Sequence, residues 1–175
     1  MRVAIGLGSS LGDRRRRLEL CVRKLNSHPA LQLVRLSRWY KSTPLKGGEA
    51  RGWFLNGVAL FQSDIEPISL LAYCRSLEER ASRRRARHWG DRTLDLDVLL
   101  TEGFVSNDPH LTLPHPAITQ RPFVLFPLLE VWPDARDEHL GVAMADVPPP
   151  PRPWPWTVGV AARVNMLYLD EPTRS

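Results

Sequence analysis

Two acids stand two positions apart, Asp95 and Asp97, inside the apolar run Leu94-Asp95-Leu96-Asp97-Val98-Leu99-Leu100. Side chains alternate faces along a strand, so both carboxylates point one way, about 7 Å apart, while Leu94, Leu96 and Val98 take the other face and are expected to be buried. Carboxylates gathered on one face of an apolar strand repel each other and resist losing water. A hard divalent cation relieves both problems, and Mg²⁺ takes one or two carboxylates together with phosphate oxygens. The plainer alternative is a solvent-facing pair on an exposed strand edge. Close upstream lie Arg83, Arg85, Arg87, His88, Trp89 and Arg92. Guanidinium groups make paired, charge-assisted bonds to phosphate. Cations for a polyphosphate beside acids for a metal suit phosphoryl transfer, whose catalysis is mainly positioning and charge stabilisation.

Three further segments bear polar or aromatic groups of interest. Leu113-Pro114-His115-Pro116, followed by Arg121-Pro122-Phe123, gathers a His, an Arg and an aromatic ring in one window. Its prolines fix the backbone and favour a presented His115 side chain. Trp53-Phe54-Leu55-Asn56 sets aromatic rings beside an amide, a pairing that can stack a flat heteroaromatic ring and read its edge. Phe54 as core and Asn56 as a turn residue is the competing reading. Gly6-Leu7-Gly8-Ser9-Ser10-Leu11-Gly12-Asp13 invites a dinucleotide-binding loop, but Leu11 occupies the position of the third glycine. No Gly-Lys-Ser/Thr follows, so a Walker loop fails too. A strand-to-helix turn that needs flexible or left-handed backbone remains, and such a turn can line a site.

The elements that must hold these groups follow from hydrophobic period and punctuation. Residues 2–8 predict a short buried strand. Leu11, Leu18, Cys21, Val22 and Leu25 recur at helical spacing, with Pro29 closing that helix. Residues 31–42 alternate as a single strand ending at Trp39-Tyr40, and a Gly- and Pro-rich loop spans 43–52. Residues 54–61 predict a strand, and Pro67 opens a helix that runs towards Arg80. An arginine-rich loop covers 81–92 before the strand of 94–100. Val105 and residues 111–113 predict brief strands, and 123–129 a helix that includes Pro127. Strand, helix, strand, strand, helix, strand is the order of a split β-α-β, ferredoxin-like α+β domain.

A chain of 175 residues, 43% hydrophobic and 25% charged, suits one globular domain. No apolar run reaches the roughly 20 residues of a bilayer span, and the N-terminal order does not match a secretory signal. The domain is expected over residues 1–147, followed by a Pro-rich tail, 148–175, of unknown role. Cys21 and Cys74 fall inside apolar helical patterns and read as small buried hydrophobes in a reducing, cytoplasmic setting. The net charge of +5 comes mostly from arginine blocks, residues 14–17 and the group from Arg80 to Arg92. The first block reads as a solvated helix face, the second as a phosphate-attracting cluster.

Taken together, these blocks resemble the hydroxymethyldihydropterin pyrophosphokinase family of folate biosynthesis. The resemblance rests on Gly8-Ser9-Ser10-Leu11-Gly12, Tyr40 to Pro44, Phe54-Leu55-Asn56, Glu78, Arg83 with Arg85, Trp89-Gly90-Asp91-Arg92-Thr93-Leu94-Asp95-Leu96-Asp97, Leu113-Pro114-His115-Pro116 and Arg121-Pro122-Phe123-Val124-Leu125. It implies a three-layer, ferredoxin-like α-β-α sandwich around a mainly antiparallel sheet. It also implies that Asp95 and Asp97 bind two Mg²⁺ ions, with ATP as co-substrate and a hydroxymethyl pterin as acceptor. Arg83, Arg85, Arg92 and His115 would contact ATP phosphates, with Glu78 and Arg121 on the nucleotide side. Arg83 and Arg92 would serve catalysis with the two acids. Phe54 and Phe123 would sandwich the pterin, Asn56 would bond its edge, and groups near Ser42, Thr43 and Leu45 would complete its recognition beside Asp95, with Trp89 closing over it. Partners are then small molecules rather than nucleic acid or membrane, and the chain is expected as a monomer or weak dimer. It departs from the family pattern at Ser10, Ser42, Ser82 and Asp91, where Asn, Thr, Gly and Pro are usual. Those departures keep open an impaired or repurposed paralogue. A nucleic-acid-binding module would explain the arginines but not the paired acids.

Overall fold

The computed structural model describes residues 1–43, 52–81, 93–148 and 156–157. In chain order these form β1 (Arg2–Ser9), α1 (Arg14–Asn26), β2 (Leu31–Leu36), β3 (Tyr40–Ser42), β4 (Phe54–Ser63), α2 (Pro67–Arg80), β5 (Asp95–Thr101), β6 (Ser106–Asp108), β7 (Leu111–Leu113), α3 (Pro122–Val131), β8 (Arg136–Asp137), β9 (Val142–Ala143), a 3-10 turn (Met144–Asp146) and β10 (Trp156–Thr157). The main sheet runs β10-β3-β4-β1-β5, and β2 also pairs with β4. Its strand pairs are antiparallel. With β1 between β4 and β5, this is the split β-α-β order expected of the α+β class.

Alternation along β1 decides what each face buries. Val3, Ile5 and Leu7 join a core with Leu18, Val22 and Leu25 of α1 and with Leu70, Cys74 and Leu77 of α2. Ala4 lies in the other core, with Val58, Leu60, Leu99 and Leu100 of the sheet and Leu125, Leu128 and Val131 of α3. Each leucine sealed this way contributes about 1.5–3 kcal/mol relative to exposure. Leu94, Leu96 and Val98 are buried in the first core, as their alternation with the acids requires. Cys21 and Cys74 are buried and unbridged. Burial pushes the Cys21 thiol up to about 12, and it raises Cys74 as well. No helix among the described residues is long and apolar enough to cross a membrane.

Local chemistry sets the boundaries and corrects some of them. Helix α1 begins at Arg14 rather than Leu11, because the Asp13 carboxylate accepts from Arg16 N at 3.1 Å as its cap. Leu11 is left 41% exposed outside the helix. The single strand expected over 31–42 is two. Between them, Ser37 Oγ accepts from Val58 N at 2.9 Å and donates to Arg38 O at 2.8 Å. A serine side chain thus takes the place of a ladder bond, and Trp39 turns under β4. A Cβ on Gly57 would stand only 2.6 Å from the Trp39 ring, so the indole fits only beneath a glycine. Val105 is exposed, and its strand starts one residue later at Ser106, paired with β7. Helix α3 continues through the buried Pro127. Residues 156–157, which sequence alone could not place, pair with Ser42 and Lys41 of β3.

Candidate active site

The register of three strands builds the centre of the site. Asn56 of β4 lies opposite Gly8 of β1, and Gly8 lies opposite Asp95 of β5. One step along, Val58, Gly6 and Asp97 form the parallel row. Directly opposed residues share a sheet face, so both acids and the Asn56 amide project from the α3 side of the sheet. A Cβ on Gly8 would lie 3.4 Å from Asn56 Oδ1 and 3.6 Å from Asp95 Cβ. The amide and the acid therefore flank a bare patch of backbone. Glycine leaves that patch bare, where a Cβ would stand in ordinary contact with both side chains. The left-handed backbone expected of this glycine-rich segment belongs to Gly12 alone, at φ +62°.

Asn56 is held from behind. Its Nδ2 donates to Ser42 Oγ at 2.8 Å and approaches Tyr40 O at 3.5 Å. Both Asn56 and Ser42 are buried, so this bond is shielded from water. The Ser42 hydroxyl supplies the acceptor for that bond. Thr43 is exposed at the end of β3. Phe54, two residues before Asn56 and so on its face, is half-buried at the start of β4. Phe123 is half-buried in the first turn of α3, which packs against β4 and β3. Tyr40 OH donates to Glu130 at 2.7 Å, tying β3 to α3. Burial and that carboxylate push the phenol up to about 12.

Beyond Asp95 the site opens into a cleft of about 320 Å³, lined by Glu78, Asp95, Asp97 and His115 together with Arg75, His110 and Thr112. Both acids are half-buried. Glu78 is 3% exposed, and its Oε1 accepts from Leu96 N, between the two acids, at 2.9 Å. This acid props the β5 edge as well as lining the cleft. His115 follows a cis Leu113-Pro114 bond and donates its backbone N–H to Leu99 O at 2.7 Å. Its Nδ1 accepts from Ala117 N at 3.2 Å, which leaves Nε2 to carry the proton of the neutral ring. Burial lowers the His115 pKa, Asp97 opposes that shift, and the nearby Arg121 charge adds to it. Arg121 sits half-buried at the N-terminus of α3.

The structure thus brings Asp95, Asp97, Glu78 and His115 to one cleft, with Asn56 across Gly8 from Asp95 and Ser42 bonded to Asn56. Leu45, Arg83, Arg85, Trp89 and Arg92 lie outside the described residues. Arg75, His110 and Thr112 were not anticipated. Helical phase could have found Arg75, one turn before Glu78. Strand alternation could have found His110 and Thr112, which interleave with the buried Leu111 and Leu113. The arginines of α1 are more engaged than a solvated face requires. Arg17 Nη1 donates to Leu11 O, Arg15 pairs with Glu19, and Arg14 stacks on Trp53.

Hard oxygen donors side by side on one strand face, opening on a cleft, are a donor set suited to Mg²⁺. Among the described residues no group of three or more His, Cys, Asp or Glu side chains converges as a metal cage. Mg²⁺ does not need one when substrate phosphates complete its shell.

Comparison with known proteins shows the family. Residues 4–133 match the family model described as 7,8-dihydro-6-hydroxymethylpterin-pyrophosphokinase. A 2-amino-4-hydroxy-6-hydroxymethyldihydropteridine pyrophosphokinase of Methylorubrum extorquens is 40% identical over 133 residues, which is 76% of this chain and 84% of its own length. The protein of the same name from Pseudomonas aeruginosa is 36% identical over 150 residues, 84% of this chain and 92% of its own. That from Bacillus subtilis is 36% identical over 127 residues, covering 73% and 75%. On the match of the family model and of these relatives, the chain belongs to the hydroxymethyldihydropterin pyrophosphokinase family.

Proposed function

We propose that the β1–β4–β5 face around Gly8 is where this pyrophosphokinase joins its two substrates, ATP and 6-hydroxymethyl-7,8-dihydropterin, in folate biosynthesis. The observation that carries the reading is the single row Asn56–Gly8–Asp95. Two strand spacings, about 10 Å, separate the amide from the acid. That span suits a fused bicyclic ring with a one-carbon arm, read at one end by Asn56 and delivered at the other to Asp95. Phe54 and Phe123 supply apolar faces for the ring from β4 and α3. Ser42 and Thr43 stand at the pterin end, and Leu45 and Trp89 are assigned to it by their match to the family motif.

In the reaction the hydroxymethyl oxygen forms a bond to the β-phosphorus of ATP, the bond from that phosphorus to the α–β bridging oxygen breaks, AMP leaves, and the hydroxyl proton is released. Asp95 and Asp97 would hold two Mg²⁺ ions, which when bound neutralise phosphate charge and orient the polyphosphate. The cleft beyond Asp97 takes the nucleotide. His115, with its proton on Nε2, donates towards phosphate oxygen, and Arg121 adds positive charge from the start of α3. Arg83, Arg85 and Arg92 are assigned to phosphate by residue type and by their match to the family motif. Glu78 acts by holding Leu96 N, and through it the spacing of the acids. Residues 1–147 are assigned as the catalytic domain, with Ala135 and Met144 buried near its end, while Trp156–Thr157 of the tail pair with β3 at the sheet edge. Small-molecule partners, a cytoplasmic setting and a monomer or weak dimer complete the proposal.

The test is direct: full-length protein with MgATP and hydroxymethyldihydropterin should release AMP in step with pterin consumed. AMP release that ignores the pterin, or none at all, would refute the reading and favour a repurposed paralogue.

A further inference from the structure

The turn between β1 and α1 touches the entrances of both site-bearing strands. On one side, Ser9 Oγ donates to Thr93 O at 2.7 Å, two residues before Asp95. On the other, Arg14 Nε donates to Trp53 O at 3.1 Å, the carbonyl of the peptide that joins Trp53 to Phe54. The same guanidinium lies 3.9 Å from the centre of the Trp53 ring, and Lys41 Nζ lies 4.8 Å from it. Trp53 shares strand phase with Leu55, whose partner across the ladder is Lys41, so the indole stands on the α1 side of the sheet. Phe54 and Asn56 point to the opposite side. Arg14 is itself fixed where it leaves the turn, its backbone N–H donating to Gly12 O at 2.9 Å.

From this geometry we infer that Arg14 is a positioning residue for pterin binding. It grips the Trp53–Phe54 peptide through its carbonyl and the preceding ring, and sets the orientation of Phe54 from behind. The stack supplies what the backbone at this point lacks. Phe54 begins β4 as the first residue of the ladder, and Trp53 before it is 38% exposed. A planar guanidinium that both stacks and donates fixes a rotation that a point charge on a flexible stem would leave looser. The inference rests on the reading that Phe54 faces the pterin, and the experiment separates the two.

AMP release is measured on full-length variants, varying pterin at saturating MgATP and then the reverse, alongside thermal melting. Phe54→Ala should raise the pterin KM at least about tenfold. Arg14→Gln should raise it about fivefold, with kcat and the ATP KM within about twofold of the starting protein. Arg14→Lys, which keeps a cation on the indole but loses the planar fork, should fall between. Arg15→Gln, on the same helix but paired with Glu19, should change none of the three constants. If Phe54→Ala raises the pterin KM and Arg14→Gln does not, the positioning role is wrong and the pterin reading stands. If Arg14→Gln shifts both KM values and kcat alike, Arg14 is only structural and the inference fails. If Phe54→Ala leaves the pterin KM unchanged, the pterin reading fails and the inference falls with it.

Discussion

The two sides of Gly8 are built on opposite principles. On the β4 side, Asn56 is 7% exposed and its amide is bonded to Ser42 Oγ inside the protein. On the β5 side, Asp95 and Asp97 are half-buried and line an open cleft of about 320 Å³. A neutral amide can be buried and locked in advance at modest cost, because it carries no net charge and its N–H finds an acceptor within the protein. A pair of carboxylates sealed in the same way would face the full desolvation penalty and their mutual repulsion. The register of β5 with β1 sets both acids on one face, and their partial exposure leaves them open to the cleft. The amide is locked within the protein before any ligand arrives, whereas the acids stand at the wall of an open cleft.

The largest test of that contrast is Asp97→Ala. The residue lies on the face away from the Leu94–Leu96–Val98 core, so the variant should stay folded, with a melting temperature within a few degrees. Its Mg-dependent AMP release should fall by about a thousandfold or more if Asp97 is one of the two carboxylates proposed to hold the metal. Retained turnover would mean that the acids are surface charges and that the comparison is empty. Asn56→Ala comes next. Its effect should sit in the pterin KM, raised about ten- to a hundredfold, with the ATP KM nearly unchanged. Equal losses for both substrates would show that the two sides are not separable. Stopped-flow or steady-state kinetics with each substrate varied decides between these outcomes.

How much of this could be read from the chain depends on the range of the interaction. The face shared by Asp95 and Asp97 follows from a period of two residues, and α2 follows from Pro67 at its start and apolar residues at helical spacing. Both are local signals, and both match the structure. The break between β2 and β3 was not legible, since it depends on Ser37 Oγ meeting Val58 N and on Trp39 lying beneath Gly57, contacts between residues far apart in the chain. Strand β6 carries Ser106, Asn107 and Asp108, which show no hydrophobic period, and exists because β7 pairs with it. In the site, the sequence around Gly8 reads as a turn. Only the registers of β1 with β4 and β5 reveal that it separates an amide from an acid. Glu78 was assigned to the nucleotide side, while its bond to Leu96 N becomes visible only when α2 meets β5.

The finest probe of the pre-formed side is Ser42, whose hydroxyl is the acceptor that holds Asn56 Nδ2. Ser42→Ala leaves that buried amide short of its nearest partner, with only the 3.5 Å approach to Tyr40 O remaining. A lost buried hydrogen bond costs about 1–2 kcal/mol, so thermal or urea unfolding should show that decrease. The freed amide should raise the pterin KM about three- to fivefold and leave kcat and the ATP KM untouched. Ser42→Thr keeps the hydroxyl and should behave as the starting protein, provided the extra methyl fits beside the buried strand. The pair of variants separates hydroxyl from volume. If alanine and threonine weaken pterin binding equally, the cause is packing at β3, and the claim that the amide is locked in advance is wrong. If only alanine does so, a single hydrogen bond between two buried side chains sets how well the ring's edge is read.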